Sequence, residues 1–158
     1  SVSRTDLDEL RGRLTPAEGV ALFDLALTTE DGESRGPELL DPDKPVILLL
    51  HQANYNKYEY ADIAPKLNEM GYNVLAIDQR SGGSFAGKEN ETFKRATKRG
   101  DADISFVDAE QDIEAAINYL NKKYDQKVTV WGSSYSSSLA LFVAAENNSA
   151  VFAEIIFR

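Results

Sequence analysis

The sequence predicts a three-layer α/β/α fold built on a mostly parallel sheet. Two observations carry this. Val46–Leu50 is a short, continuous apolar run, the mark of a strand buried on both faces, and the mainly apolar segments Tyr72–Ile77, Val128–Trp131 and Val151–Phe157 repeat the type. Helical patterns lie between them, and strand–helix repeats of this kind return each strand parallel to the last through right-handed crossovers.

Taken in order, residues 1–20 read as an N-terminal arm or short helix. Leu7, Leu10 and Leu14 fall at helical spacing, and Thr15, Pro16 and Glu18 form a helix-start pattern. Residues 21–158 read as one partial domain. Phe23, Leu25 and Leu27 alternate with smaller or polar residues before the turn pair Asp31-Gly32, so 21–39 is expected to form a hairpin or two short strands. Ile63, Leu67 and Met70 make an apolar helical stripe, with Pro65 in its first turn and Gly71 closing it. The stretch from Ser81 to Asp103 reads as a long excursion over the strand ends, placed to shape a pocket, with one weak helical candidate at Thr92 to Lys98. A second stripe holds Ile113, Ala116, Ile117, Leu120 and Tyr124, with Asp108 as N-cap and Gln111 as its capping-box partner. The last helix, Ser137 to about Asn147, is apolar on nearly every side (Leu139, Leu141, Phe142, Val143, Ala144) and is expected to lie buried in the centre.

Composition narrows the function. The chain has 158 residues, 42% of them hydrophobic and 27% charged, as in globular domains. A net charge of -9 and scattered basic residues argue against nucleic acid or an anionic membrane surface as partner. Cysteine is absent, which removes disulfides and thiolate metal sites. Asp101, Asp103 and Asp112 show no metal-ligand spacing and read as loop solvation and helix surface, so no metal site is expected. No apolar run approaches the ~20 residues of a membrane span, and no leader pattern is present. The chain reads as soluble. Its first residue is Ser1, so N-terminal residues are expected to have been removed, and the compartment stays open with a slight lean to the cytoplasm over secretion.

The most informative segment is Val128-Thr129-Val130-Trp131-Gly132-Ser133-Ser134-Tyr135-Ser136. A G-x-S-x-S sequence here leaves a buried strand and opens a helix, the setting of a nucleophile elbow. The turn is tight enough to require small residues two before and two after the nucleophile, and Gly132 and Ser136 meet that need. Ser134 is then the nucleophile, and the Tyr135 N–H is one oxyanion donor. A plainer reading also exists, because small-residue turns between strand and helix occur in many units that bind phosphate or nothing. Two further segments sit at strand ends: Leu49-Leu50-His51-Gln52-Ala53-Asn54 and Ala76-Ile77-Asp78-Gln79-Arg80-Ser81-Gly82-Gly83. In the second, Asp78 and Arg80 are expected to form structural hydrogen bonds or an ion pair, with the paired glycines permitting positive φ.

In this order and on these elements, the three motifs resemble the α/β-hydrolase superfamily, particularly its small dienelactone-hydrolase-like members, over about residues 21–158. The resemblance implies that strands three to six lie in the order 4-3-5-6, with the pocket between strands three and five. It implies that His51-Gln52-Ala53 stands for an H-G-x loop, Ala53 supplying the second oxyanion N–H and Gln52 replacing the usual glycine. His51 braces this loop and is read as structural rather than as general base. Asp78 and Arg80 match a D-x-R-G-x-G turn, and Asp78 is not the triad acid, which in this superfamily follows the nucleophile. The implied activity is hydrolysis of an ester, lactone or related small acyl substrate by Ser134, without a cofactor.

The family's acid and histidine after the nucleophile are missing. The expectation is therefore a hydrolase truncated after strand six and inactive by itself. Ile155, Ile156 and Phe157 would form an apolar sheet edge, to be covered by a missing C-terminal segment or by self-association through strand 152–157. Two other readings remain: a non-catalytic binding or interaction module on the same fold, and a Rossmann-like nucleotide-binding domain. The last is disfavoured because no G-x-G-x-x-G follows the first buried strand.

Overall fold

The computed structural model describes residues 27–28, 34–35, 43–98, 100, 103–125, 127–146 and 151–157. Two short strands, β1 (Leu27–Thr28) and β2 (Ser34–Arg35), pair antiparallel, Leu27 opposite Arg35, within the segment where a hairpin is expected. Phe23, Leu25, the Asp31-Gly32 pair and the helix-like pattern from Leu7 to Glu18 lie outside the described residues, as does Asp101.

The main sheet contains β3 (Val46–Leu50), β4 (Asn73–Ile77), β5 (Val128–Gly132) and β6 (Val151–Phe157), in the order β4-β3-β5-β6. Every pairing is parallel. Leu48 sits opposite Leu75 on one side and Val130 on the other, and β6 follows β5 with a register slip between Thr129 and Trp131. Strand β3 has neighbours on both edges and helices over its faces, which is why all five of its side chains are buried apolar groups.

Among the described residues, four α-helices lie between these strands: α1 (Ala64–Glu69), α2 (Glu91–Lys98), α3 (Glu110–Tyr124) and α4 (Tyr135–Glu146). The β3-to-β4 crossover runs one way across the sheet, while the next two run the other way. Right-handedness then places α1 on one face and α3 and α4 on the opposite one, giving the three layers. Ile113, Ala116, Ile117 and Leu120 of α3 are buried as their spacing predicts. Among the described residues no helix is long and apolar enough to cross a membrane.

Several expectations need correction. Met70 is 69% exposed, because α1 ends at Glu69 and Met70 caps it, outside the stripe that a longer helix would have carried. Asp108 is not an N-cap. Its carboxylate accepts from the Ser105 N–H (2.7 Å) and hydroxyl (3.0 Å) and so belongs to a 3-10 turn over Phe106–Ala109 that precedes α3, while the Gln111 side chain donates to the Asp108 carbonyl. Helix α4 is not enclosed all round. Ala140, Val143 and Ala144 are buried, but Leu141 and Phe142 are 49% and 52% exposed. The weak candidate in the excursion is a real helix, α2, capped by Asn90, whose Oδ1 accepts from the Phe93 N–H at 2.8 Å.

Candidate active site

Strands β3 and β5 are neighbours, and the loops leaving their carboxyl ends meet at the point where the chain changes direction across the sheet, the usual crevice of open α/β sheets. The β5–α4 turn is short. Ser133 N–H continues the ladder by donating to the Leu50 carbonyl (3.1 Å), and α4 then starts with Ser136 N–H to Ser133 C=O and Ser137 N–H to Ser134 C=O. Between them Ser134 adopts φ +55 and is exposed. A left-handed conformation costs an L-residue about 1–2 kcal/mol, so the surrounding bonds must hold it. The approach is close: a Cβ on Gly132 would lie 2.6 Å from the Ser136 carbonyl carbon and oxygen and from the Ser137 nitrogen. Only glycine fits there. The Ser137 hydroxyl donates to the Gly132 carbonyl at 2.8 Å.

Ser136, buried, ties this turn to the other loop, its hydroxyl donating to the His51 carbonyl at 2.5 Å and accepting from Gln79 Nε2 at 2.9 Å. His51 is itself fully buried. Its Nδ1 donates to the Gln52 carbonyl (2.8 Å), and its Nε2 accepts from the Gln79 N–H (2.8 Å), with Asn90 Nδ2 at 3.3 Å. That pattern fixes a neutral ring, and burial lowers its pKa further from the ordinary value of 6.5. Neither ring nitrogen is left to take a proton from Ser134. Among the described residues no acceptor faces the N–H of Ala53 or of Tyr135, and the latter is one of the orphan donors of the first turn of α4.

Glu59 belongs to none of the three sequence motifs. From the 3-10 turn Lys57–Tyr60, its Oε2 accepts the Gln52 N–H (2.8 Å), and its Oε1 accepts Gln52 Nε2 (3.2 Å) and the Ser133 hydroxyl (2.9 Å). Gln52 therefore turns its side chain onto Glu59. The Tyr135 hydroxyl bonds to the Ser81 hydroxyl and accepts from Gln79 Nε2 (2.7 Å). Burial raises its pKa above the ordinary tyrosine value.

Asp78 and Arg80 are both buried, but each is bonded to a different residue. Asp78 accepts the N–H groups of Lys57 and Glu91, both at 2.9 Å, and lies 3.5 Å from the buried Lys57 ammonium. Arg80 meets Asp112. Its guanidinium reaches Asp112 Oδ1 at 2.9 Å and Oδ2 at 3.1 Å, and its N–H donates to Oδ2 at 2.8 Å. Asp112 is thus a fully buried ion-pair partner rather than helix surface; Asp103 is exposed. The glycine pair also differs from expectation, since neither Gly82 nor Gly83 has positive φ. Gly82 is required by contact instead: a Cβ there would fall 2.1 Å from Asn90 Nδ2 and 2.2 Å from the Tyr55 carbonyl.

The excursion borders an open surface depression away from the β5–α4 turn. Lys88, Glu89, Glu91 and Arg95 join Lys57 and Tyr58 around about 390 Å³, a lining that does not include Ser134. Among the described residues no cluster of three or more His, Cys, Asp or Glu is arranged to hold a metal ion.

Comparison with known proteins agrees with this architecture. The family model described as alpha/beta hydrolase fold matches residues 45–154. No curated protein matches the chain. Among solved structures it is similar to a highly thermostable carboxyl esterase from Bacillus coagulans in complex with glycerol, at 20% identity and TM-score 0.55, covering 72% of this chain and 35% of that one. It is also similar to a predicted CIB-like hydrolase from Thermoplasma acidophilum, at 22% identity and TM-score 0.50, covering 75% of this chain and 53% of that one. The chain thus spans less than two thirds of the length of either, and at these identities the likeness is one of fold. The family match over most of the chain, the β4-β3-β5-β6 order and the strand–turn–helix at Ser134 lead to one conclusion: this chain belongs to the alpha/beta hydrolase fold family.

Proposed function

We propose that the chain carries the nucleophile half of a serine hydrolase acting on an ester, lactone or related small acyl substrate. The observation behind this reading is the backbone at Ser134, a non-glycine residue with φ +55, exposed at the junction of β5 and α4. In the proposed step the Ser134 hydroxyl oxygen bonds to the acyl carbon as its proton leaves to a base. The carbonyl electrons collect on an oxyanion facing the N–H groups of Ala53 and Tyr135. Collapse of that intermediate expels the alcohol, and water then releases the acid from the acyl-serine.

His51 is the single histidine of the chain, and its two ring nitrogens are bonded within the fold. The reading therefore draws its base and acid from residues this chain does not carry. It also places a further strand, from a longer chain or a second copy, along the outer edge of β6. Without the base, oxyanion and binding effects alone leave roughly 10³ to 10⁴ over water in comparable enzymes. The test is a fluorophosphonate probe on the full-length protein, with the adduct mapped by peptide mass spectrometry. Labelling at Ser134 that vanishes in Ser134→Ala is the expected result. Absence of labelling there would favour a non-catalytic binding module.

A further inference from the structure

We infer that Glu59 is the positioning residue of the oxyanion hole, an inference that rests on the serine-hydrolase reading above. An oxyanion hole works only when its donors converge to about 2.7–3.1 Å from one oxygen. Here the two donors come from different segments: Ala53 follows β3, and Tyr135 follows β5. The ladder that aligns those strands ends with Ser133 N–H on the Leu50 carbonyl. Beyond it the backbone bonds stop, and side chains must hold the two turns in register.

Glu59 bridges them at the residue next to each functional position. Oε2 takes the N–H of Gln52, the residue before Ala53, and Oε1 takes the hydroxyl of Ser133, the residue before Ser134. The bond to Gln52 engages that N–H and leaves the Ala53 N–H to face the substrate. The Gln52 side chain, standing where glycine is usual, adds a further bond to Oε1 at 3.2 Å. The bridge is anchored in its turn. Tyr60 donates its hydroxyl to the Leu50 carbonyl at 2.7 Å, Asn56 Oδ1 accepts the Tyr58 N–H at 3.0 Å, and the Lys57 N–H is held by Asp78. In this arrangement Glu59 acts only as an acceptor. Geometry rather than charge is what it supplies, so glutamine at this position can do the same work, accepting from the Gln52 N–H and donating to the Ser133 oxygen once the Gln52 amide turns over.

The test measures p-nitrophenyl butyrate hydrolysis by the full-length protein and its Glu59→Ala, Glu59→Gln and Ser133→Ala variants, with folding checked by thermal melting. Glu59→Ala is expected to lower kcat about tenfold or more with little change in KM, because displacements near 1 Å in such sites reach about 10². Glu59→Gln should stay within about threefold of the parent, and the Glu59→Ala, Ser133→Ala double variant should be no slower than Glu59→Ala alone, since the two share a bond. An unchanged kcat in Glu59→Ala overturns the inference, as does a Glu59→Gln variant as slow as Glu59→Ala or an effect confined to KM. If Glu59→Ala does not fold, Ser133→Ala and Glu59→Gln decide by the same rule: a slowed kcat in the first and a near-parental kcat in the second. If the parent neither turns over ester nor labels at Ser134, the hydrolase reading has failed separately. Amide hydrogen exchange then judges the clamp: loss of protection at Gln52 in Glu59→Ala, kept in Glu59→Gln, sustains it, and unchanged protection overturns it.

Discussion

Replacing Asp112 by alanine is the sharpest probe of how the loop after β4 is held. Asp112 is fully buried on α3 and accepts the Arg80 backbone N–H at 2.8 Å and its guanidinium at 2.9 and 3.1 Å. Arg80 is only 4% exposed, so without the carboxylate its charge is left in the interior with no counter-ion. Removing one partner of a buried pair costs about 3–5 kcal/mol, a large share of the roughly 5–15 kcal/mol that stabilises a domain. For a domain of this size the melting temperature should fall by roughly 6–20 °C, at about 2–4 °C per kcal/mol. Asp112→Asn keeps an acceptor and removes the charge, so its loss should be smaller, about 1.5–3 kcal/mol. The double variant Arg80→Met, Asp112→Leu removes the stranded charge and should recover most of the stability, short of about 1 kcal/mol for the Arg80 N–H left without its acceptor. Urea titrations with unchanged m-values provide the measurement. A loss under about 1 kcal/mol in Asp112→Ala, or a double variant as unstable as the single, would show that the pair is not desolvated in the way these distances require.

Two further outcomes follow from the site geometry. Burial holds His51 neutral in the folded chain, its pKa below 6.5, whereas the unfolded chain binds a proton as pH drops through that value. Stability should accordingly fall with decreasing pH below about 6.5, at no more than about 1.4 kcal/mol per unit from this group. Urea midpoints between pH 7.5 and 5.5 that do not move, or that move equally in His51→Gln, contradict this assignment. Ser134→Gly should relieve the left-handed strain and raise stability by roughly 0.5–1 kcal/mol while abolishing probe labelling; a lower melting temperature in that variant would mean that φ +55 is not a strained state here.

The parts of this fold that were legible in the sequence are those encoded by residues adjacent in the chain. The apolar run at Val46–Leu50 locates a strand because burial on both faces removes alternation, while Val128–Gly132 alternates between buried and half-buried positions. Gly132, Ser134 and Ser136 betray the turn because steric limits act within five consecutive residues. Local periodicity also misled. The helical stripes place Met70 and Phe142 with the core, yet whether a helix continues and what covers its far side are decided by neighbours the pattern does not contain.

Pairing among charged and polar groups was not legible at all. Nothing near Glu59 announces Ser133, and nothing near Arg80 announces Asp112. Asp78 and Arg80, two residues apart, look like partners in the sequence and are not. Gly82 suggests positive φ in the sequence, but its role is to let Asn90 and the Tyr55 carbonyl approach. The sequence by itself determined the buried strands, the main helices between them and the shape of the Ser134 turn, since these depend on short-range sterics and the period of apolar residues. The tertiary structure alone decided which buried charge meets which, because the order β4-β3-β5-β6 brings distant loops to one edge of the sheet, where a group removed from water must find its partner among whatever the fold places beside it.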